Sequence, residues 1–322
     1  MRKMTVFCLL AALLMIGTQA GFTFSGLKDF MASGRELAHA ELIGALLIAG
    51  FGTLISLFPF HSWAAPAYAS APAPVAMMHA GVLKKFGLYG LFMFQPLMET
   101  GFLPWTNILL VLLVCNVIWV GYVTVNQKRL DLLLGNSSVM HMGYIFLAFA
   151  ALVVSGSAEA NPWALKGAAL LMLAHGLTIA LLFLLCGQIE KQTGTLEINS
   201  LGGLSTRLPR MAFVFGLAGM ASIGLPGLAN FPGEFMVFFS GFAGFSNGFG
   251  PVQIATILCL WGLVIGAVYM LRAYRNIFQG DLSKASAYAT GLQPSERAAN
   301  CFLVIALAVF GFFPTLVLQF FS

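Results

Sequence analysis

The sequence predicts an all-α fold, a polytopic transmembrane helical bundle of about nine spans, and two observations carry this prediction. The chain of 322 residues is 59% apolar and only 8% charged, whereas soluble domains average about 25% charged residues. Uncharged stretches such as 101–127 and 235–271 exceed the roughly 20 apolar residues that cross a bilayer. Because helices satisfy their own backbone hydrogen bonds in lipid, we expect residues 1–322 to form one integral membrane domain.

Basic residues orient the predicted spans. If Arg2 and Lys3 lie in the cytoplasm and the spans alternate in direction, the Lys- and Arg-rich loops all fall on the cytoplasmic side, as the positive-inside rule requires. This agreement holds only if the long segment 211–247 crosses once. The nine predicted spans are 4–20, 41–60, 75–97, 104–125, 132–154, 163–187, 211–247, 251–272 and 298–321.

Two segments predict discontinuous helices. Segment 211–247 is too long for one straight helix, and its centre reads Gly224-Leu-Pro-Gly-Leu-Ala-Asn-Phe-Pro-Gly233, a pattern that breaks the helical hydrogen-bond ladder. Four prolines in 57–74 indicate a second break. Transporters use such half-helices at membrane depth, and the spacing predicts two inverted repeats, one around each break.

Other classes of protein fit the sequence poorly. The net charge of +5 comes from scattered basic residues, so no nucleic-acid partner is expected. No cysteine pair has metal-ligand spacing, and there is no phosphate-binding loop or nucleophile elbow. We therefore expect no cofactor and no catalytic centre within this chain. Residues 2–20 also have the pattern of a secretory signal, which stays an alternative to a retained first span.

Four ionisable residues fall inside predicted spans, namely Lys85, His141, His175 and Glu234. A lysine near the bilayer centre costs roughly 2.5–3.5 kcal/mol on insertion scales, so such groups are expected to face a polar interior. Together they predict a proton path. The alternatives are that Lys85 snorkels to the interface, that Glu234 caps a half-helix beginning there, and that the histidines are hydrogen-bonded packing residues.

Two further residues are weaker candidates for the path. Lys84 lies about 100° around a helix from Lys85, and the expected outcome is that it packs against a neighbour or snorkels. His79 precedes Lys85 by six residues. Because imidazole titrates near neutral pH, its ring is chemically able to relay protons.

Several stretches resemble one family, the antiporter-like membrane subunits of respiratory complex I and of Mrp-type cation/proton antiporters, and most of all its subunit M branch, to which mitochondrial subunit 4 belongs. The resemblance runs through essentially the whole chain. It is carried by Phe58-Pro-Phe-His-Ser-Trp63, Ala71-Pro72, Ala80-Gly-Val-Leu-Lys-Lys-Phe-Gly-Leu-Tyr-Gly90, Ser137-Ser-Val-Met-His-Met-Gly-Tyr144, Ala174-His-Gly-Leu177, Leu181-Leu-Phe-Leu184, Gly202-Gly-Leu204, Ser222-Ile-Gly-Leu-Pro-Gly227 and Gly233-Glu-Phe235.

The resemblance implies roles for the four residues. In that family a row of buried charges crosses the subunit at mid-membrane, and by motif Lys85 takes the central lysine position, His141 and His175 the histidine positions, and Glu234 the terminal acid. The family's glutamate–lysine pair at the start of the row has no match here. A family lysine falls on Leu54, and a family Asp-Ala-His tripeptide reads Pro66-Ala-Tyr68.

The resemblance implies a proton-translocating membrane-arm subunit of a complex I-type NADH:quinone oxidoreductase, with redox chemistry in other subunits. The expected partners are the lipid bilayer, other membrane subunits and a chain that supplies the missing N-terminal helices. The expected location is a bacterial inner membrane. The alternatives are a cation/proton antiporter subunit, an inorganic-carbon transporter subunit, and a shortened structural subunit with an incomplete proton path.

Overall fold

The computed structural model describes residues 2–243 and 248–321, and this part of the chain is helical, with one isolated bridge between Arg129 and Glu197 and no β-strand. Short 3₁₀ turns join several of the helices. The α-helices are α1 Arg2–Ala20, α2 Phe24–Ala32, α3 Ala40–Ile55, α4 Ala64–Ser70, α5 Ala73–Met78, α6 Lys85–Phe94, α7 Glu99–Phe102, α8 Thr106–Val125, α9 Leu130–Ser155, α10 Pro162–Thr193, α11 Leu204–Arg207, α12 Pro209–Ile223, α13 Asn230–Ser240, α14 Pro251–Phe278, α15 Pro294–Phe312 and α16 Thr315–Leu318.

Six helical segments in the described part of the chain are long and apolar enough to cross a membrane, so the prediction of about nine spans is not confirmed as a count. Of the other three predicted spans, one is the 16-residue helix α3 and two are interrupted. The last span is also shorter than the predicted 298–321, because helix α15 ends at Phe312 before Pro314. The six segments are Lys3–Ala20, Thr100–Val125, Leu130–Ser155, Pro162–Thr193, Pro251–Phe278 and Pro294–Phe312.

Helix α9 is the centre of the bundle. In its most apolar stretch of 18 residues, 94% of the residues are buried. The corresponding share is 28% in Lys3–Ala20 and 11% in Pro294–Phe312. Helices α8, α10, α13 and α14 pack around α9. A helix that is apolar on all faces is expected in such a position, and any polar side chain on α9 must find its partners inside the protein.

The predicted interruption of 211–247 is confirmed between α12 and α13. Gly224 ends α12 with φ +81°, a left-handed conformation that glycine adopts without steric cost. Pro226 follows it, and the chain becomes helical again at Asn230. Pro232 therefore lies in the first turn of α13, where a missing backbone N–H removes no helical hydrogen bond.

The predicted second break is confirmed between α3 and α6, and it is more elaborate than its prolines suggest. After Ile55 the chain leaves the helix, forms α4 and α5, and then passes through a π-helical turn, His79–Leu83. In this turn the N–H of Lys84 donates to the carbonyl of His79, five residues earlier, at 3.0 Å. Such π turns are frequent at functional sites.

Asn116 on α8 joins the loop of the second break to the centre of the bundle. Its Oδ1 accepts from the N–H of Phe58 at 2.6 Å, and its Nδ2 lies 3.3 Å from the carbonyls of both Ser56 and Val139. The amide is fully buried, so it satisfies backbone groups that the broken helix leaves without partners.

An ion pair lies where α9 begins. Arg129 and Asp131 approach to 2.7 Å. The hydrogen bond and the charge of Asp131 raise the pKa of Arg129 above its ordinary value. This pair fixes the start of the central helix at the edge of the bundle.

Candidate functional site

Lys85 is the first residue of α6, directly after the π turn, and it does not snorkel. Only 8% of the residue is exposed, and its Nζ donates to the carbonyl of Ala80. It lines a largely apolar groove of about 640 Å³ between α5, α6 and α10. No salt bridge to Lys85 exists within residues 2–243 and 248–321, so its ammonium group is held by a backbone carbonyl.

The two predicted histidines lie side by side, although they are 34 positions apart in the sequence. His141 on α9 and His175 on α10 stack with ring centroids 5.1 Å apart and an interplanar angle of 22°. The Nε2 of His175 lies 3.3 Å from the hydroxyl of Ser138. His175 also interacts electrostatically with Lys85, so the pair of rings continues the row from the lysine towards the centre of the bundle.

Both ring nitrogens of His141 face backbone carbonyls. Nδ1 lies 2.8 Å from the oxygen of Ser137, and Nε2 lies 2.9 Å from the oxygen of Ser222. A neutral imidazole has one N–H, whereas the imidazolium has two, so only the protonated ring donates to both carbonyls. The two carbonyls therefore favour the protonated ring, whereas its burial disfavours the charge.

The break between α12 and α13 makes the Ser222 carbonyl available. In a continuous helix it would accept from the N–H of residue 226, but the chain leaves the helix at Gly224, and Pro226 has no N–H. The end of α12 also carries the negative pole of the helix dipole. The interruption therefore creates an acceptor for His141 at membrane depth.

Glu234 lies at the other end of the row, and the alternative that it caps the half-helix is excluded. Helix α13 begins at Asn230, so Glu234 is in its second turn, and no acidic residue occupies the first turn. Its carboxylate is buried against Gly224, and Oε1 has no hydrogen-bond partner in the described part of the chain. A carboxyl group so placed is available to bind or release a proton.

Tyr144, which sequence reasoning missed, lies between the histidines and Glu234. Its ring packs edge-on against His141 at 5.6 Å and against Phe238 of α13 at 5.3 Å. It interacts electrostatically with Glu234, and its buried hydroxyl has no hydrogen-bond partner among the described residues. Its position three residues after His141, on the same face of α9, was the available signal.

The structure thus places His141 and His175 side by side, with Lys85 beside the helix of His175 and with Tyr144 between His141 and the helix of Glu234. The two weaker candidates lie beside the start of this row. Lys84 is fully buried with its Nζ 5.9 Å from the centre of the Tyr68 ring, so it packs against a neighbour and does not snorkel. His79 is half-buried against Trp63 and Tyr68.

The chemistry of the row is that of proton carriers. Amine, imidazole and carboxyl groups exchange protons through hydrogen bonds or single waters, and intramembrane ionisable groups mark ion pathways. Within the described ranges, no group of three or more His, Cys, Asp or Glu side chains is placed to hold a metal ion.

The chain is similar to known proteins in sequence and in fold. Residues 2–258 match the family described as NADH:quinone oxidoreductase/Mrp antiporter, transmembrane. The chain is 35% identical over 324 residues to NAD(P)H-quinone oxidoreductase chain 4 1 of Synechococcus elongatus, which covers 98% of this chain and 58% of that protein. It is 32% identical over 321 residues to the protein of the same name from another Synechococcus, with 98% and 59% covered.

Solved structures have the same fold. A chain of respiratory complex I from Thermus thermophilus superposes with a TM-score of 0.85 at 26% identity, covering 98% of this chain and 64% of that one. A chain of the Mrp complex from Dietzia superposes with a TM-score of 0.76 at 18% identity, covering 99% and 66%. The chain thus spans less than two thirds of the length of these relatives, and the predicted resemblance is confirmed: it is an integral membrane protein that belongs to the NADH:quinone oxidoreductase/Mrp antiporter family.

Proposed function

We propose that this chain translocates protons along Lys85, His175, His141 and Glu234 as a membrane-arm subunit of a complex I-type NAD(P)H:quinone oxidoreductase. The redox chemistry would take place in other subunits, and a bacterial inner membrane is the expected location. The observation that carries the proposal is the stacked histidine pair, which joins a buried lysine on one side to Tyr144 and a buried acid on the other.

The proposed transfer begins at the ammonium group of Lys85, which gives a proton to the neutral ring of His175. His141 holds it between two carbonyls, and Tyr144 and water carry it to Glu234. Each step moves one proton from a donor to an acceptor, and each group returns to its starting protonation state at the end of the cycle. A change in charge in a neighbouring subunit would gate the first step, because electrostatic interactions are strong in a low-dielectric interior.

Lys85→Met and Glu234→Gln test the proposal. Each removes a proton carrier with little change in shape, and loss of such a group slows transfer by about 100-fold. We expect fewer protons pumped per NAD(P)H oxidised in the assembled complex, measured with a pH-sensitive dye in inverted vesicles. Lys166→Met and Glu190→Gln, on the helix that bears His175, are controls of the same chemistry outside the row. Unchanged pumping in an assembled Lys85→Met complex would contradict the proposal.

A neighbouring membrane chain is proposed to supply a carboxylate to Lys85. The support is charge complementarity, since Lys85 lines an apolar groove without an acidic partner among the described residues. A cysteine at Val82, which is 47% exposed and lines that groove, should cross-link to an adjacent membrane subunit. A cysteine at Val264, which is 54% exposed on α14, is the control. Equal cross-linking at both positions would count against a specific partner there.

A cation/proton antiporter subunit without redox partners is the second candidate, and the superposition on the Mrp complex chain supports it at the level of the fold. Co-purification distinguishes the two. Flavin and iron–sulfur subunits bound to this chain favour the redox complex, whereas a complex of membrane subunits alone, with sodium-dependent proton flux, favours the antiporter.

A further inference from the structure

Lys84 lies on the other side of the helix from the groove that Lys85 lines, and it is buried next to other polar side chains. The residue is 0% exposed, and its Nζ has no hydrogen-bond partner within residues 2–243 and 248–321. Its side chain points towards α4, where the ring of Tyr68 lies 5.9 Å from Nζ. A cation–π contact of this kind is weak and compensates only a small part of the cost of burying an ammonium group without partners.

Three more buried polar atoms in this region are also without partners in the described part of the chain, and one of them is Nδ1 of His61. The ring of His79 lies 5.5 Å from that of Tyr68, and both Nδ1 of His79 and Oη of Tyr68 are buried with no hydrogen-bond partner in the described part of the chain. His61 and His79 both interact electrostatically with Lys84. We call the group formed by His61, Tyr68, His79 and Lys84 the Lys84 pocket.

Water is the ligand that these atoms require. Buried polar groups are paired with protein or with ordered water in the great majority of cases, and a buried water needs two to four polar partners. The amine of Lys84 and the imidazole of His79 at the π turn, with the phenol hydroxyl of Tyr68 on α4, supply that number. The same three groups also conduct protons, because each donates and accepts hydrogen bonds in at least one protonation state.

The pocket extends from the surface of the bundle to its interior. His61 and His79 are half-buried, whereas Tyr68 and Lys84 are buried. Lys84 also interacts electrostatically with Lys85, and two like charges in a low-dielectric interior repel each other. A proton that arrives at Lys84 therefore favours the release of the proton from Lys85 into the row.

We propose that the Lys84 pocket is a hydrated proton-loading site that feeds the row at Lys85. Protons enter at His61 and His79 and bind to the amine of Lys84. From there a proton passes through water to the neutral amine of Lys85, which leaves Lys84 uncharged and ready for the next one. The delivery of protons to Lys85 rests on the proposed function, whereas the hydration of the pocket does not.

X-ray hydroxyl-radical footprinting of the assembled complex tests the hydration, because radiolysis of bound water oxidises the side chains beside it. Tyr68 should be modified at least as fast as exposed tyrosines, corrected for intrinsic reactivity, although it is 3% exposed. Phe149, buried between the rings of Phe92 and Phe102, is the dry control. Modification of Tyr68 no faster than that of Phe149 would overturn the proposal.

Lys84→Met tests the delivery of protons. Removal of an unpaired buried charge is tolerated well by a fold, so assembly should be retained, and we expect fewer protons pumped per NAD(P)H oxidised, with transfer slowed by about 100-fold. Normal pumping by an assembled Lys84→Met complex would overturn the loading role. If Lys85→Met pumps normally as well, the proposed function fails too. If pumping is impaired in Lys85→Met but normal in Lys84→Met, the proposed function stands and only the loading role of Lys84 is excluded.

Discussion

At the scale of single residues, the ionisable groups of the row differ in the contacts that fix their positions. Lys85 is held by a carbonyl of its own π turn, His141 by two carbonyls from different helices, and Glu234 by close packing against Gly224. Partners from the backbone carry no net charge, so the row can gain or lose a proton without breaking an ion pair within the described residues.

Gly224→Ala should displace Glu234. The new Cβ would lie 3.0 Å from Cδ of Glu234 and closer still to Oε2, in a backbone conformation with φ +81°. The left-handed conformation alone costs about 1–2 kcal/mol, and the collision adds to it. We expect a loss of pumping in the Gly224→Ala variant, measured together with its thermal stability in detergent.

Gly280→Ala is the matched control for that variant. Gly280 has φ +82°, and nothing lies within 4 Å of a Cβ built there, so this change introduces the same backbone strain without the collision. Pumping should stay normal in Gly280→Ala. Equal pumping by the two variants would contradict the role given to the contact between Gly224 and Glu234.

At the scale of elements, the interruptions of helices supply the polar partners of the site. The end of α12 provides the acceptor for His141. The π turn before α6 directs Lys84 towards α4 and is followed by Lys85, which lines the groove beside α10. Irregular backbone is tolerated at membrane depth only where protein or a water-filled cavity surrounds it, so these breaks depend on the helices packed against them.

Asn116→Ala should destabilise the broken segment between α3 and α6. The change leaves two buried backbone groups, the carbonyl of Ser56 and the N–H of Phe58, without partners, whereas the carbonyl of Val139 keeps its hydrogen bond within helix α9. Each costs about 1–3 kcal/mol. The unfolding temperature in detergent should fall clearly, whereas Asn126→Ala, which removes one exposed local hydrogen bond, should change stability by about 0.5 kcal/mol at most. Similar unfolding temperatures for both variants would contradict this account of Asn116.

At the scale of the whole molecule, the site lies around the buried helix α9, and the outer helices are attached more loosely. Helix α15 is the clearest case, since only 11% of its apolar window is buried. Its buried link to the bundle is a reciprocal amide pair, in which Gln188 and Asn300 donate to each other at 3.0 and 3.1 Å. This organisation separates the row of buried ionisable residues from the exposed faces of the outer helices.

Asn300→Leu should loosen α15 without affecting the row. It leaves the amide of Gln188 buried and unpaired, at a cost of about 1–3 kcal/mol. We expect faster hydrogen–deuterium exchange in α15 than in the unmodified protein, and unchanged exchange in α9. The double variant Gln188→Leu/Asn300→Leu should restore slow exchange, because replacing both partners by apolar groups is nearly neutral. Equally fast exchange in the double variant would contradict this explanation.

The membrane class, the apolar segments and the two main interruptions followed from composition and from the positions of proline and glycine, because these depend on local chain chemistry and on the width of a bilayer. The four residues of the row were also recognisable in the sequence, since charge in apolar runs is rare. The contact between the two histidines was not, because their rings meet only once α10 packs on α9.

Other features depended on tertiary structure alone. The π turn, the burial of Lys84 beside Tyr68, and the placing of Tyr144 next to Glu234 all arise from packing between segments distant in sequence. The same is true of the start of α13 at Asn230, which excluded the alternative that Glu234 caps this helix. Local sequence reports where a helix is able to break, whereas the neighbours that receive its free carbonyls and side chains are decided by which helices pack together.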